Sequence, residues 1–224
     1  MRFPFSFEKR RKRKGKLKIL APLLVFVAVL LYGLIHSLLA SHRAKATARR
    51  WFGEATDRWY RLAYNLFGAA SFLPVLALPA LLPDEDLYTI PRPWVYLTTT
   101  IQLLAVLAIA IGILQTGLWD FLGFHQLAGL EEERNHELVV GGLYRWVRHP
   151  LYSAGIVFIW LVPVMTRNLL ALNLGLTLYL VVGAFFEERK LAREYGVAYR
   201  DYKRRTPMFV PGLRGREADS WAKN

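Results

Sequence analysis

The stretch Ile19-Leu20-Ala21-Pro22-Leu23-Leu24-Val25-Phe26-Val27-Ala28-Val29-Leu30-Leu31-Tyr32-Gly33-Leu34-Ile35-His36-Ser37-Leu38-Leu39-Ala40-Ser41 carries 23 residues without Lys, Arg, Asp or Glu. A helix rises 1.5 Å per residue and needs about 20 apolar residues to cross a ~30 Å hydrocarbon layer, so this run is long enough to span alone. Four more uncharged runs follow: Leu62 to Pro83 (22), Pro93 to Trp119 (27), Leu151 to Thr166 (16) and Asn168 to Phe186 (19). The fourth is short and is parted from the fifth only by Arg167; Pro163, Arg167 and Asn168 form a turn-like cluster, so the two predict a tight helical hairpin over 150–186. The expectation is an all-α integral membrane protein of about five membrane helices. Its parts are a basic N-terminal tail (1–18), a three-helix membrane region (19–119) and a polar-loop, hairpin and tail region (120–224). The first run exceeds a signal-peptide core of ~7–15 residues, and no small-residue cleavage site follows, so it is expected to stay as a helix.

Charge is segregated from this apolar material. The chain has 224 residues and a formal charge of +13, yet is 54% hydrophobic, with a mean hydropathy of +0.22. A soluble nucleic-acid binder of this charge would be polar throughout. The basic run Lys9-Arg10-Arg11-Lys12-Arg13-Lys14 beside a membrane helix instead fits attraction to anionic lipid, with no nucleic acid required. Zero cysteines exclude disulfides, thiolate metal sites and a cysteine nucleophile, and five histidines make a His-rich metal site unexpected. The acidic connection Asp84-Glu85-Asp86 is expected outside, with the segment from Asp120 to Pro150 and the ten Lys or Arg after Phe186 in the cytoplasm. One conflict stands in this scheme. Six Lys or Arg between His42 and Arg61 would also be cytoplasmic, which puts the nine between Arg2 and Lys18 outside unless the first run is re-entrant or peripheral.

Two polar stretches carry the chemistry. In Asn135-His136-Glu137-Leu138-Val139-Val140-Gly141-Gly142-Leu143-Tyr144-Arg145-Trp146-Val147-Arg148-His149-Pro150-Leu151-Tyr152, the Gly pair permits a sharp turn, and Pro150 suits a first helical position. Backbone N–H groups from Leu151 to Ser153, with Arg148 and His149 before them, would receive a small carboxylate or phosphate. Tyr144, Trp146 and Tyr152 could cover an adenine or a sulfonium, although Tyr, Trp and Arg are equally at home in a membrane-interface belt. The second stretch begins at Glu187-Glu188 and continues the last apolar helix; Leu191, Tyr195, Tyr199 and Tyr202 mark one aromatic face, and Thr206-Pro207 ends it. Adjacent carboxylates at a membrane boundary need cations, for which Arg189, Lys190 and Arg193 are nearest in sequence.

Together, His136-Glu137-Leu138-Val139, Gly142-Leu143-Tyr144, Arg148-His149-Pro150-Leu151-Tyr152 and the Glu187-Glu188 pair resemble the signature of the membrane-embedded isoprenylcysteine carboxyl and phospholipid methyltransferases. Tyr195-Gly196, Tyr199, Tyr202 and Arg205-Thr206-Pro207 resemble the same family's tail, so the likeness covers about the C-terminal 90 residues. The resemblance implies S-adenosylmethionine as cofactor, bound from the cytoplasmic side by His136, Leu138, Val139, Tyr144, His149, Pro150, Leu151, Tyr152 and Glu187. It leaves Arg148 and Glu188 as candidates for the substrate, Glu188 or His149 as candidate bases, and no assigned catalytic residue. Gly183 stands where the isoprenylcysteine enzymes carry an arginine suited to a substrate carboxylate. With His36-Ser37-Leu38-Leu39-Ala40-Ser41 and Tyr60-Arg61-Leu62-Ala63-Tyr64-Asn65, the N-terminal half looks more like bacterial relatives such as methanethiol S-methyltransferases. That implies a prokaryotic enzyme in the cytoplasmic membrane with a small thiol or lipid-like acceptor.

The rival from another class is a non-enzymatic membrane accessory or assembly protein that docks a partner, or a haem through His36, His125 or His136. A membrane-surface binder of nucleic acid ranks last, and the sequence leaves the oligomeric state open.

Overall fold

A computed structural model describes residues 5–128 and 138–212. The chain is mostly helical, and four of its helices are long and apolar enough to cross a membrane: Leu17–Leu39, Thr56–Leu81, Trp94–Thr116 and Arg167–Glu194. In chain order the elements are α1 (Phe5–Leu39), α2 (His42–Phe52), α3 (Thr56–Leu81), β1 (Asp86–Thr89), α4 (Trp94–Thr116), α5 (Leu118–Leu122), α6 (Phe124–Ala128), a 3-10 turn (Gly142–Arg145), α7 (Pro150–Trp160), β2 (Val164–Thr166), α8 (Arg167–Glu194) and α9 (Gly196–Arg205). They divide into two compact units, 1–95 with 162–179, and 96–161 with 180–224.

In the first unit α1 and α3 lie side by side and antiparallel. Tyr60 Oη donates to Leu39 O at 2.7 Å at one end, Tyr32 Oη to Gly68 O at 3.3 Å midway, and Lys18 Nζ meets Glu85 at 3.3 Å at the other end. Thus α1 runs alongside α3 over its apolar length and does not turn back, with Lys18 at the acidic end of this unit. Val25, Val29, Val75, Ala171 and Leu172 form the buried core. Small residues let the backbones approach, as in membrane helix packing generally. A Cβ at Gly33 would stand 2.6 Å from the Tyr179 ring, and one at Gly175 would stand 3.0 Å from Val29.

The acidic connection is tied down. Asp84 Oδ1 accepts from the N–H groups of Glu85 (2.8 Å) and Asn168 (3.0 Å), and the buried Asn168 amide donates to the carbonyls of Pro79 and Pro83. β1 then pairs antiparallel with β2, in register Asp86↔Thr166 and Thr89↔Val164. The chain is mostly helical, as expected, and this two-stranded ladder stands where the turn of the expected helical hairpin would be. Pro163 cannot donate a helical hydrogen bond, and its carbonyl accepts from Ile90 N at 2.8 Å, so the chain leaves the helix and extends. The fourth apolar run is therefore an 11-residue helix, about 16 Å long at 1.5 Å per residue, followed by a strand. It is too short to cross a ~30 Å layer alone.

In the second unit α4 and α7 are neighbours. Gln102 Nε2 donates to Phe158 O at 2.9 Å, and Gly112 leaves room for Leu151, whose Cδ1 would be 3.1 Å from a Cβ there. Residues 180–194 of α8 continue past the apolar run, as expected, but the continuous aromatic stripe is not continuous. Gly196 adopts φ +55, so α8 stops at Glu194 and α9 starts in a new direction. Thr206 does end α9, and its N–H bonds to Tyr202 O at 3.0 Å.

Candidate functional site

The site is assembled in the second unit around the start of α7. Upstream, Gly142 takes φ +57, a left-handed conformation that only glycine adopts freely, and opens the 3-10 turn. A Cβ there would overlap the Gln115 side chain, whose Oε1 accepts from Leu143 N at 3.2 Å. Gly142→Ala therefore meets both a backbone cost of roughly 1–2 kcal/mol and a steric clash. Its expected effect is a fall in the unfolding midpoint of about 5 °C, measurable by differential scanning fluorimetry, since 1 kcal/mol is worth about 2–4 °C in a chain of this size. Ala at Gly141, where a Cβ meets nothing within 4 Å and φ is extended, is the control.

Pro150 occupies the first turn of α7, and His149 precedes it with φ −123 and ψ 65. The two residues before the helix are pinned by the segment after α9. Arg148 N donates to Pro207 O at 2.9 Å, His149 N to Met208 O at 3.1 Å, and Ser153 Oγ to Phe209 O at 2.7 Å. Of the helix-start N–H groups, that of Ser153 already bonds His149 O at 3.0 Å.

Beneath this crossing lies a buried ionic clasp. Glu188, 4% exposed, accepts from Arg148 Nε at 2.6 Å and from Lys203 Nζ at 2.8 Å. The same guanidinium donates through Nη1 to Lys203 O at 3.1 Å and to Thr206 O, which closes the C-terminal end of α9. A carboxylate with two cations and no solvent is stable only when its charge is this fully met. Nearby in sequence stood Arg189, Lys190 and Arg193. The cations the structure uses, Arg148 and Lys203, are remote in sequence from Glu188.

Tyrosines wall the clasp. Tyr202 Oη donates to Tyr144 O at 2.6 Å; burial, with some help from the Glu188 charge and against that of Arg148, pushes this phenol up to about 12. Burial also raises Tyr144 and Tyr199, so all three remain protonated; Tyr199 Oη is buried without a hydrogen-bond partner.

Glu187, one residue away, is different. Its side chain is 44% exposed, has no Lys or Arg within 4 Å among the described residues, and lies 3.6 Å from His149 Nδ1. His149 is 5% exposed; its ring stacks on Tyr152 at 5.3 Å with an 8° interplanar angle and leans on Phe209 at 5.7 Å. Its Nε2 is buried without a hydrogen-bond partner, 3.5 Å from Glu188. Tyr144, Arg148, His149, Pro150, Tyr152, Glu187 and Glu188 are thus gathered in one place. Leu138 is half-buried and Val139 exposed at the head of the loop, and His136 lies outside the described residues. Gln115, Lys203 and the carbonyls of 206–209 join the site without having been singled out.

Comparison with known proteins finds relatives for this chain. Residues 96–198 match the family of phospholipid methyltransferases. The chain is 46% identical over 71 residues to methanethiol S-methyltransferase 2 of Bradyrhizobium diazoefficiens, covering 32% of this chain and 27% of the relative. Methanethiol S-methyltransferase 1 of the same organism is 30% identical over 195 residues, 82% of this chain and 65% of the relative. Mouse protein-S-isoprenylcysteine O-methyltransferase is 33% identical over 100 residues, 41% and 34% respectively. The chain thus spans between about a quarter and just under two thirds of the length of these curated relatives. No solved structure matches it. The likeness to the isoprenylcysteine and phospholipid methyltransferases read from the motifs is the one these matches display, and methanethiol enzymes stand among the relatives.

Proposed function

We propose that this chain is an integral-membrane methyltransferase that uses S-adenosylmethionine to methylate a small thiol or a lipid-like acceptor. The observation that carries this proposal is the pairing of an exposed carboxylate without Lys or Arg, Glu187, with a buried imidazole whose Nε2 has no partner, His149, at the start of a helix inside the segment that matches the family. These groups suit the cofactor. Glu187 would meet the ammonium of its methionine part, the N–H groups at the start of α7 the carboxylate, and Tyr144 and Tyr152 the apolar and aromatic parts. His136, Leu138, Val139, Pro150 and Leu151 complete the proposed set. S-adenosylmethionine, when bound, supplies a methyl group already activated on a sulfonium. The protein's tasks are therefore to align the acceptor and to exclude water.

Arg148 and Glu188 spend their hydrogen bonds on each other, on Lys203 and on the end of α9. We assign them to holding the site in shape, in place of the substrate-binding role the motif suggested for them. Gly183, where a Cβ would meet nothing within 4 Å, puts no cation opposite a substrate carboxylate, which favours a small thiol over a carboxyl acceptor. In this proposal residues 120–224 hold the cofactor and 19–119 embed the chain, with α7 entering the bilayer partway as the short fifth apolar segment. The ten Lys or Arg after Phe186 support a site on the cytoplasmic face of a prokaryotic membrane in this proposal.

The test is methyl transfer by the full chain in nanodiscs, with methyl-labelled S-adenosylmethionine and either methanethiol or phosphatidylethanolamine as acceptor. Labelled thioether or methylated lipid is the expected product. A folded chain that binds the cofactor yet methylates neither class of acceptor would favour an accessory role.

A further inference from the structure

The segment between α1 and α3 is not a plain connection. α1 ends at Leu39 and α3 begins at Thr56, both long apolar helices, so residues 40–55 are held at one end of two spans. Within them α2 is well built. Ser41 caps its start by accepting from Ala44 N at 3.2 Å, and Gly53, at φ +77, closes its end on Arg49 O. None of its residues is buried, and its sequence is strongly amphipathic.

Its cations divide by face. Lys45 reaches Asp57 at 3.3 Å, and Arg49 reaches Glu54 at 3.2 Å and Asp57 at 3.1 Å, so the carboxylates of the following turn and α3 answer these two. Arg43 and Arg50, seven residues apart and so on one side of the helix, have no carboxylate within 4 Å among the described residues. Between them Thr47 points the same way, and all three are exposed, whereas Ala44 and Ala48, a quarter turn or more around the helix, are half-buried. At the helix end Trp51 and Phe52 stand 77% and 64% exposed. Phe52 turns to the other side, where its ring meets Trp59 edge-on at 6.0 Å. Two unanswered guanidiniums around a hydroxyl, with the Trp51 indole at the edge of their face, match the boundary between lipid phosphate and acyl chain.

We infer that α2 is an interfacial helix that docks on the phosphodiester headgroups of anionic lipids, with Arg43, Thr47 and Arg50 as the phosphate-binding face and Trp51, at its edge, inserted beneath. Zwitterionic headgroups carry a compensating ammonium and bind this face less well. The inference is independent of the methyltransferase proposal, since no residue of that site takes part.

The test uses the full chain in phosphatidylcholine nanodiscs doped with a few per cent of either phosphatidylglycerol or phosphatidylcholine bearing a nitroxide near the top of the acyl chain. Trp51 emission is taken as the difference between wild type and Trp51→Phe. Each basic side chain at an anionic surface contributes roughly a fivefold preference, so two should enrich labelled phosphatidylglycerol by about twenty-fivefold in affinity. Stronger quenching of Trp51 by the phosphatidylglycerol label is expected, and Arg43→Gln/Arg50→Gln, which alters exposed side chains alone, should abolish the preference. Equal quenching by the two labels in wild type overturns the inference, as does a preference that survives in the double variant.

Discussion

Arg148→Ala is expected to lower the midpoint of thermal unfolding by about 10 °C or more in detergent or nanodiscs. Glu188 is 4% exposed and holds its charge against two cations at 2.6 and 2.8 Å. Removing Arg148 leaves the buried carboxylate only the half-exposed Lys203 and strips the carbonyls of Lys203 and Thr206 of their donor; breaking a buried pair costs about 3–5 kcal/mol, and 1 kcal/mol is worth about 2–4 °C in a chain of this size. The guanidinium is also the group that ties α9's last carbonyls to the start of α7, so its loss loosens the strand-like crossing at Pro207 and Met208 as well. Arg148→Lys should rescue little, because an ammonium cannot reach the carboxylate and two carbonyls together as the planar fork does. Arg148→Leu/Glu188→Leu should be more stable than Arg148→Ala, since no charge is then left buried. A shift below about 2 °C in Arg148→Ala would show that the clasp does not hold this unit together.

The sequence was legible where physics is local. Apolar run length located the four long helices, of which α1, α3 and α8 run further into polar sequence at one end; Pro150 marks the first turn of α7, and Thr206 the end of α9. It was illegible where partners come from afar. Helical spacing rules join residues three or four apart, so they offered Arg189, Lys190 and Arg193 to Glu188, whereas Arg148 is forty residues away. Pro163 was legible as a breaker, but not its consequence. Val164–Thr166 becomes a strand only because Asp86–Thr89 is there to receive it, and a three-residue strand has no periodicity to detect. Gly196 is the local signal of the break: a glycine directly after Tyr195 in a basic helix end is a stop, and it parts the aromatic positions of α8 from those of α9.

Glu187→Ala is the counterpart of Arg148→Ala. It is expected to weaken S-adenosylmethionine binding by roughly ten- to a hundredfold, measured by calorimetry, while leaving the unfolding midpoint within about 2 °C of wild type. A charge-assisted hydrogen bond contributes about 1.5–3 kcal/mol, and each 1.4 kcal/mol is tenfold in affinity. Stability should be spared because this carboxylate is 44% exposed and pairs with no Lys or Arg among the described residues. Successive helical residues point about 100° apart, which turns Glu188 into the clasp and Glu187 out toward His149. Two adjacent glutamates thereby divide the work, one holding the crossing of α7 and α9 in place and the other left to meet a cationic ligand. Glu187→Gln should retain part of the affinity as a neutral acceptor. Unchanged affinity in Glu187→Ala, in a wild type that binds, would remove this carboxylate from the cofactor site and shift the search for the ammonium partner elsewhere in the second unit.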